Sequence, residues 1–143
     1  MKKDDGIKST NYFNTFIEIA DDCPVQQAEI PAQKGDAKTV PQMQFEMIAH
    51  NPYKYTQDDV LFEVFAERNG IKNNNKSERE LFFSKGQPCL RASSLGKRYG
   101  WGVHCDEKGK VAIYAVESKE YKNLKNDKKL VHLKAMRSAR SPK

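Results

Sequence analysis

The side chains best suited to chemistry lie between residues 82 and 116, where a cysteine and a histidine occur among glycines, aromatic residues and cations. Cys89 follows Pro88 at a predicted turn, and nearby cations would favour the thiolate, the nucleophilic form of cysteine. With His104 as its base, Cys89 would make the chain a thiol-dependent enzyme or a redox sensor. In the alternative interpretation, Cys89 is a small buried apolar residue and His104 is a surface residue of a hairpin.

The same block also contains groups that would hold an anion, because backbone amides at a short helix start and neighbouring cations attract negative charge. Its spacing matches neither GxxxxGK[ST] nor GxGxxG, so it contains no nucleotide-binding motif. We therefore favour a non-enzymatic binding or interaction protein with a cationic pocket for a small anionic ligand or a protein partner. Trp101 is alternatively an anchor of the core. The residues expected to line this pocket are Lys85, Arg91, Lys97, Arg98, Trp101 and His104.

Positive charge is concentrated at the C-terminal end of the chain. The formal net charge is +6, and residues 118–143 contain nine lysines and arginines against only Glu120 and Asp127. Such a segment attracts phosphate backbones, so nucleic-acid binding is a further alternative. Because most of these cations are lysines without interleaved aromatic residues, we favour a solvated lysine face followed by a frayed tail.

The cysteines indicate a reducing compartment and no metal. Three of them, at wide spacing, fit free thiols better than a disulfide framework. No CxxC, HxxxH or HxC pair is present to anchor a zinc ion, and we expect neither a metal nor a cofactor. With no apolar run long enough to span a bilayer and no signal-peptide pattern, we expect a cytoplasmic protein without a membrane partner. The oligomeric state is not predicted.

These residues must be positioned by a single small domain, since 143 residues can bury one modest core. We predict a flexible N-terminus over residues 1–11, one α+β domain over residues 12–137 and a flexible basic tail over residues 138–143. The domain should contain an antiparallel-rich sheet with helices packed mainly on one face.

Local signals predict the individual elements. Residues 12–20 have the composition of a strand. Thr39 with Gln42, and Thr56 with Asp59, have capping-box spacing and should open two helices, the second ending at Asn69 and Gly70. From residue 79 the pattern is strand-like through residues 81–83.

The most clearly predicted element is a β-hairpin formed by Trp101–Cys105 and residues 111–116 around an Asp-Glu-Lys-Gly turn. Because residues 111–116 are apolar on both faces, we expect them to be a central strand. Ser118 should cap a helix, and residues 130–136 favour an edge strand over a helix.

A resemblance to a known family is carried by the blocks FFSKGQPCLRASSLGKRYGWGVH, NPYKYTQDDVLFEVFAERNGI, VAIYAVESKEY and LKAMRSAR. Together they resemble a family of short conserved bacterial proteins known as a domain of unknown function, over residues 11–140. This resemblance implies no particular activity, ligand or partner. The order of short helix, glycine, hairpin and helix over residues 94–125 is also similar to small α+β proteins of the YjbR and TfoX N-terminal type, which implies a compact sheet and an interaction role.

Overall fold

In the computed structural model, which describes residues 9–32, 35 and 37–138, helices pack on both faces of a four-stranded sheet. The strands are β1 (Thr15–Glu18), β2 (Trp101–Cys105), β3 (Val111–Ala115) and β4 (Val131–Lys134). The helices are α1 (Val40–Ala49), α2 (Gln57–Asn69), α3 (Lys76–Phe83), α4 (Ser94–Lys97) and α5 (Lys119–Lys125), with a 3-10 turn at Leu90–Ala92.

The sheet has the strand order β3-β2-β1-β4. Strand β2 runs antiparallel to both β1 and β3, whereas β4 runs parallel to β1. Thr15 of β1 lies opposite Cys105 on one side and Val131 on the other. The predicted α+β domain with an antiparallel-rich sheet is therefore confirmed.

Alternate side chains of the strands form two different layers of the core, as the period of two in a strand requires. One layer contains Ile17, Val103 and Cys105 and packs against residues of α1, α2 and α4, including Ile48 and Leu95. On the other side of the sheet, Phe16 meets the Tyr121 ring of α5 edge-on, with centroids 5.0 Å apart. Most of the helices thus cover one face, which we call the helical face, and α5 covers the other.

The predicted helix starts form as their sequences indicate. Thr56 and Asp59 make both reciprocal bonds of a capping box, and Gly70 ends α2 in the left-handed conformation with φ of 66°. At α1 the Thr39 hydroxyl accepts the amide proton of Gln42, but the Gln42 side chain bonds Glu46 instead of returning to the cap.

The strand predicted at residues 81–83 is wrong, because these residues end helix α3. The Asn75 side chain caps the start of this helix by accepting the amide proton of Glu78. Phe82 and Phe83 then pack with Phe62 of α2 in a small second core. Aromatic residues favour strands only as a weak prior, and this packing overrides it.

Strand β3 is not the predicted central strand but one edge of the sheet. Part of its outer edge is nevertheless covered, since the segment between α1 and α2 runs alongside Val111. There the Tyr53 amide donates to the Val111 carbonyl at 2.9 Å, and the Val111 amide donates to the Tyr55 carbonyl at 2.8 Å. At the opposite edge, β4 confirms the strand predicted within residues 130–136.

Most of the two predicted flexible ends, residues 1–8 and 139–143, lies outside the described residues. Ser9 and Thr10 bond the Asp58 carboxylate at the start of α2, and the Ser138 amide donates to Asp22. Within the described residues, no helix is both long enough and apolar enough to cross a bilayer.

Candidate functional site

Trp101 and His104 have side chains on opposite faces of the sheet, because they are three positions apart along β2 and successive side chains of a strand alternate between its faces. On the helical face, the Trp101 ring packs against Phe45 with centroids 5.1 Å apart, and its Nε1–H donates to the Glu29 carbonyl at 2.8 Å. His104 lies beside Tyr53 on the other face. The interpretation of Trp101 as a core anchor fits this environment.

The four predicted cations also have separate surroundings. The Arg91 Nε–H donates to the Lys134 carbonyl beside β4, at 2.8 Å. Arg98 is exposed and lies over the ring of Tyr99. Lys97 ends α4, and Lys85 follows α3. The structure does not bring the six predicted pocket residues into one concavity.

Cys89 and His104 are not placed as a nucleophile and its base. Leu90, which follows Cys89, donates its amide proton to Gln57, and Gln57 contacts the Cys105 sulfur on the helical face. His104 points to the opposite face. Burial raises the pKa of the Cys105 thiol to about 12, so this second cysteine is a neutral core residue.

The Cys89 sulfur finds one hydrogen-bond partner within the described part of the chain, the Tyr12 hydroxyl at 3.5 Å. Burial and the bond to Cys89 raise the pKa of Tyr12, so that its hydroxyl stays protonated at neutral pH and cannot serve as a base. Within the described residues, Cys89 thus has no hydrogen-bonded base that would take its proton.

Cys89 instead forms part of the wall of a cavity between α1, α2 and the segment of residues 87–94. We call this cavity the cysteine cleft, and its volume is about 360 Å³. Small-molecule sites typically have volumes of about 300–1,000 Å³, mostly apolar walls and a few polar groups. The cleft is lined by Val40, Pro41, Gln44, Leu61, Val64, Phe65, Arg68, Phe82, Gln87, Pro88, Cys89, Ala92, Ser93 and Ser94.

Two buried glutamines hold the wall of the cysteine cleft in place. Gln57 is fully buried, and its Oε1 accepts the amide proton of Leu90 at 2.7 Å. Gln44 accepts the hydroxyl proton of Ser93 at 2.6 Å, and the same hydroxyl accepts the amide proton of Leu95. Because these hydrogen bonds are buried, breaking them would be costly, and they hold the segment of residues 87–94 in a fixed position against α1 and α2.

Among the described residues, Arg68 is the one charged residue that lines the cysteine cleft. It lies in the last turn of α2, where a cation is favoured by the helix dipole. No carboxylate within residues 9–32, 35 and 37–138 forms an ion pair with its guanidinium. The cleft therefore presents an unneutralised positive charge beside an apolar surface.

A second cavity, which we call the acidic cleft, has a volume of about 310 Å³ and lies against other faces of α1 and α2. Its charged residues are Lys38, Glu46, Glu63 and Glu67. Lys38 already pairs with Glu46, with Nζ 2.6 Å from the carboxylate. Burial raises the pKa of Glu63, and this effect outweighs the opposing hydrogen bond from Asn73. The acidic cleft would repel an anion.

On the face of the sheet opposite the clefts, Tyr53 joins His104 and Tyr114 in a hydrogen-bonded cluster. The Tyr53 hydroxyl lies 2.7 Å from His104 Nδ1 and 2.8 Å from the Tyr114 hydroxyl. Tyr53 has φ of 61°, a costly conformation for a large side chain. Burial lowers the pKa of His104, against the opposing fields of Asp106 and Asp127.

The lowered pKa of His104 predicts that the free energy of unfolding depends on pH. Because the folded state binds a proton at His104 less readily than the unfolded chain, the contribution of His104 to the free energy of unfolding is fully present above about pH 6.5. It is lost as the pH falls from there towards the lower pKa of the folded state. The slope should not exceed about 1.4 kcal/mol per pH unit. Urea unfolding of the wild type and of His104→Gln between pH 7.5 and 5.5 measures it. Equal slopes in the two proteins would contradict the assignment to His104.

The lysine-rich end does not form one continuous free patch. Lys119, Lys122 and Lys125 of α5 are exposed. Lys134 and Arg137, however, pair with Asp21 at 2.8 Å and 3.6 Å. Nucleic-acid binding through this segment stays a prediction. As for metals, no three histidine, cysteine or acidic residues within the described ranges lie close enough together to hold an ion.

Of the residues that build the cysteine cleft, the sequence pointed to Cys89 and, at the start of the short helix expected to hold an anion, to Ser93 and Ser94. Gln44, Gln57 and Arg68 are dispersed over two helices and belong to no motif. The available signal was the position of Gln57 at the first turn of a well-capped helix, among residues otherwise expected to be core.

Comparisons with known proteins add one assignment. No curated protein and no solved structure matches the chain. A model of a family of unknown function, DUF6157, matches residues 7–141. That match covers nearly the whole sequence, including every element of the fold and all the residues of the cysteine cleft. The chain therefore belongs to the DUF6157 family.

Proposed function

We propose that this protein binds a small anionic molecule with an apolar body in the cysteine cleft, without catalysing a reaction on it. The observation that carries the proposal is the combination of a largely apolar cavity of about 360 Å³ with Arg68 as the one charged residue of its described lining. An ion pair with Arg68 would orient the anionic group, while the walls around Val64 and Phe65 would bury the rest of the ligand.

The polar groups that line the cysteine cleft support binding of a specific ligand rather than non-specific contact with apolar molecules. Gln44, Gln87, Ser93 and Ser94 contribute amide and hydroxyl groups to the cavity. Such groups add orientation to an otherwise non-directional apolar contact. Cys89 serves as a wall residue in this proposal, because its one hydrogen-bond partner within the described residues is a protonated tyrosine. Three free thiols fit the reducing conditions of the cytoplasm.

A fluorescent anion with an apolar body, 8-anilinonaphthalene-1-sulfonate (ANS), is a suitable probe, since it binds apolar surface. We expect saturable binding of one ANS per chain at neutral pH. Arg68→Ala should weaken it about fivefold, the effect of losing an ion pair of about 1 kcal/mol at a partly exposed site. Ala92→Trp should abolish it by filling the cleft. Fluorescence titration measures all three affinities.

Arg98→Ala is the matched control for Arg68→Ala. It removes the same charge from an exposed arginine that does not line the cleft, so ANS affinity should stay unchanged. Circular dichroism and a thermal melt show whether each variant is folded. If folded Ala92→Trp binds ANS as the wild type does, or if the two arginine variants weaken binding equally, the cysteine cleft is not the site.

A further inference from the structure

Beside the cysteine cleft lies another cavity, of about 260 Å³, which we call the aromatic groove. It is lined by Phe65, Glu78, Leu81, Phe82, Lys85 and Gln87. Phe65, Phe82 and Gln87 line both cavities, so the two adjoin. The two shared rings lie with centroids 4.6 Å apart and form the boundary between them.

Three of the six described residues that line the aromatic groove are large and apolar: Phe65, Leu81 and Phe82. Leu81 is 60% exposed although it is a large apolar residue, and it lines the aromatic groove but not the cysteine cleft. The groove contains one acidic and one basic residue, Glu78 and Lys85, whose charges offset each other. It therefore attracts no net charge, in contrast to the cleft next to it.

We infer that the ligand is a single-chain amphiphile whose anionic head lies near Arg68 and whose alkyl chain crosses Phe65 and Phe82 to reach Leu81. This inference rests on the function proposed above. Charge complementarity fixes the direction of the chain, because the cysteine cleft has a net positive lining and the aromatic groove has none. Each cavity alone is near or below the lower limit of small-molecule sites, so a ligand that occupies both gains more buried surface.

The test uses octanoate, decanoate and dodecanoate, below their micelle concentrations, to displace ANS. A buried methylene contributes about 0.8 kcal/mol, or about fourfold in affinity, so each step of two carbons should strengthen binding about fifteenfold. In Leu81→Glu the increase from decanoate to dodecanoate should disappear, since a carboxylate then lies in the path of the chain. The affinity of this variant for ANS should stay within twofold of the wild type, roughly the effect of one distant surface charge.

Met136→Glu is the matched control. Met136 is also an exposed apolar residue, at 51%, and it lies beside β4 rather than in either cavity. It introduces the same charge, so the chain-length dependence should remain that of the wild type. Because Leu81 and Met136 are both exposed, neither variant should lose its fold, and a thermal melt checks this.

Two results would overturn the inference while leaving the proposed function intact. One is ANS binding in the cysteine cleft with carboxylate affinities that do not increase with chain length. The other is an increase that Leu81→Glu leaves unchanged. Absence of ANS binding would instead refute the proposed function itself.

A lipid bilayer presents the same anionic head and alkyl chain, so co-sedimentation with phosphatidylglycerol vesicles is a second experiment. We expect no co-sedimentation. If the protein binds vesicles in a way that depends on Leu81 but does not bind the free carboxylates, the ligand is not a monomeric amphiphile.

Discussion

Gly102→Ala is expected to lower the free energy of unfolding by about 3 kcal/mol, at the upper end of the usual cost of overpacking a core. A Cβ atom at Gly102 would lie 2.6 Å from Tyr121 Cε2 and 2.7 Å from Phe16 Cζ. Neither ring can move aside cheaply. Phe16 is fully buried, and the Tyr121 hydroxyl is held by the Ile19 amide at 3.0 Å. Urea denaturation at pH 7.5 measures the change.

Gly70→Ala is the control for this substitution. Gly70 has a positive φ of 66°, but an added Cβ would meet no atom within 4 Å. Its cost should be limited to the backbone conformation, about 1 kcal/mol. Shortening the opposing ring should relieve part of the crowding, so Gly102→Ala combined with Phe16→Leu should cost less than the sum of the two single changes. If Gly102→Ala costs no more than Gly70→Ala, the close packing of α5 on the sheet is wrong.

Gln57→Met is expected to cost about 2–3 kcal/mol and to weaken ANS binding as well. Gln57 is fully buried, and its Oε1 is the acceptor for the Leu90 amide. Methionine matches the length and helix propensity of glutamine but leaves that amide without an acceptor, which carries the full cost of desolvation. The 3-10 turn beside Cys89 would then lose its anchor, and the wall of the cysteine cleft would loosen. Urea denaturation and ANS titration measure the two effects.

Gln42→Met provides the matched control on the neighbouring helix. The buried Oε1 of Gln42 finds no hydrogen-bond partner within the described residues, and its Nε2 makes one long bond to Glu46, at 3.4 Å. Removing an unsatisfied buried oxygen should be neutral or slightly stabilising. Equal losses of stability in Gln57→Met and Gln42→Met would show that the hydrogen bond between Gln57 and the Leu90 amide does not contribute to the free energy of unfolding.

The parts of the fold that local chemistry determines could be predicted from the sequence. Thr56 and Asp59 stand at capping-box spacing and make that box, and Gly70 ends the helix as expected. The hairpin of β2 and β3 follows from two apolar runs around a short polar turn. The end of α3 was not predictable in this way, since Phe82 and Phe83 are helical because they pack against Phe62 of α2.

The candidate site shows the same division. Alternation along a strand is sufficient to place Trp101 and His104 on opposite faces, so a pocket that needed both contradicted the predicted hairpin itself. Cys89 was predicted to matter from its neighbours in sequence, but its neighbours in space come from α1 and α2. Gln44 and Arg68 precede it by tens of residues, and only the packing of helices brings them to one cavity.

Alkylation of the cysteines with monobromobimane, followed site by site by mass spectrometry, tests the central claim most directly. At an ANS concentration of about ten times its dissociation constant, mass action predicts that Cys89 reacts about tenfold more slowly. Cys23 is partly exposed and lies outside the cleft, so its rate should not change, and buried Cys105 should react slowly throughout. If ANS is bound and Cys89 reacts at its original rate, the ligand does not occupy the cysteine cleft.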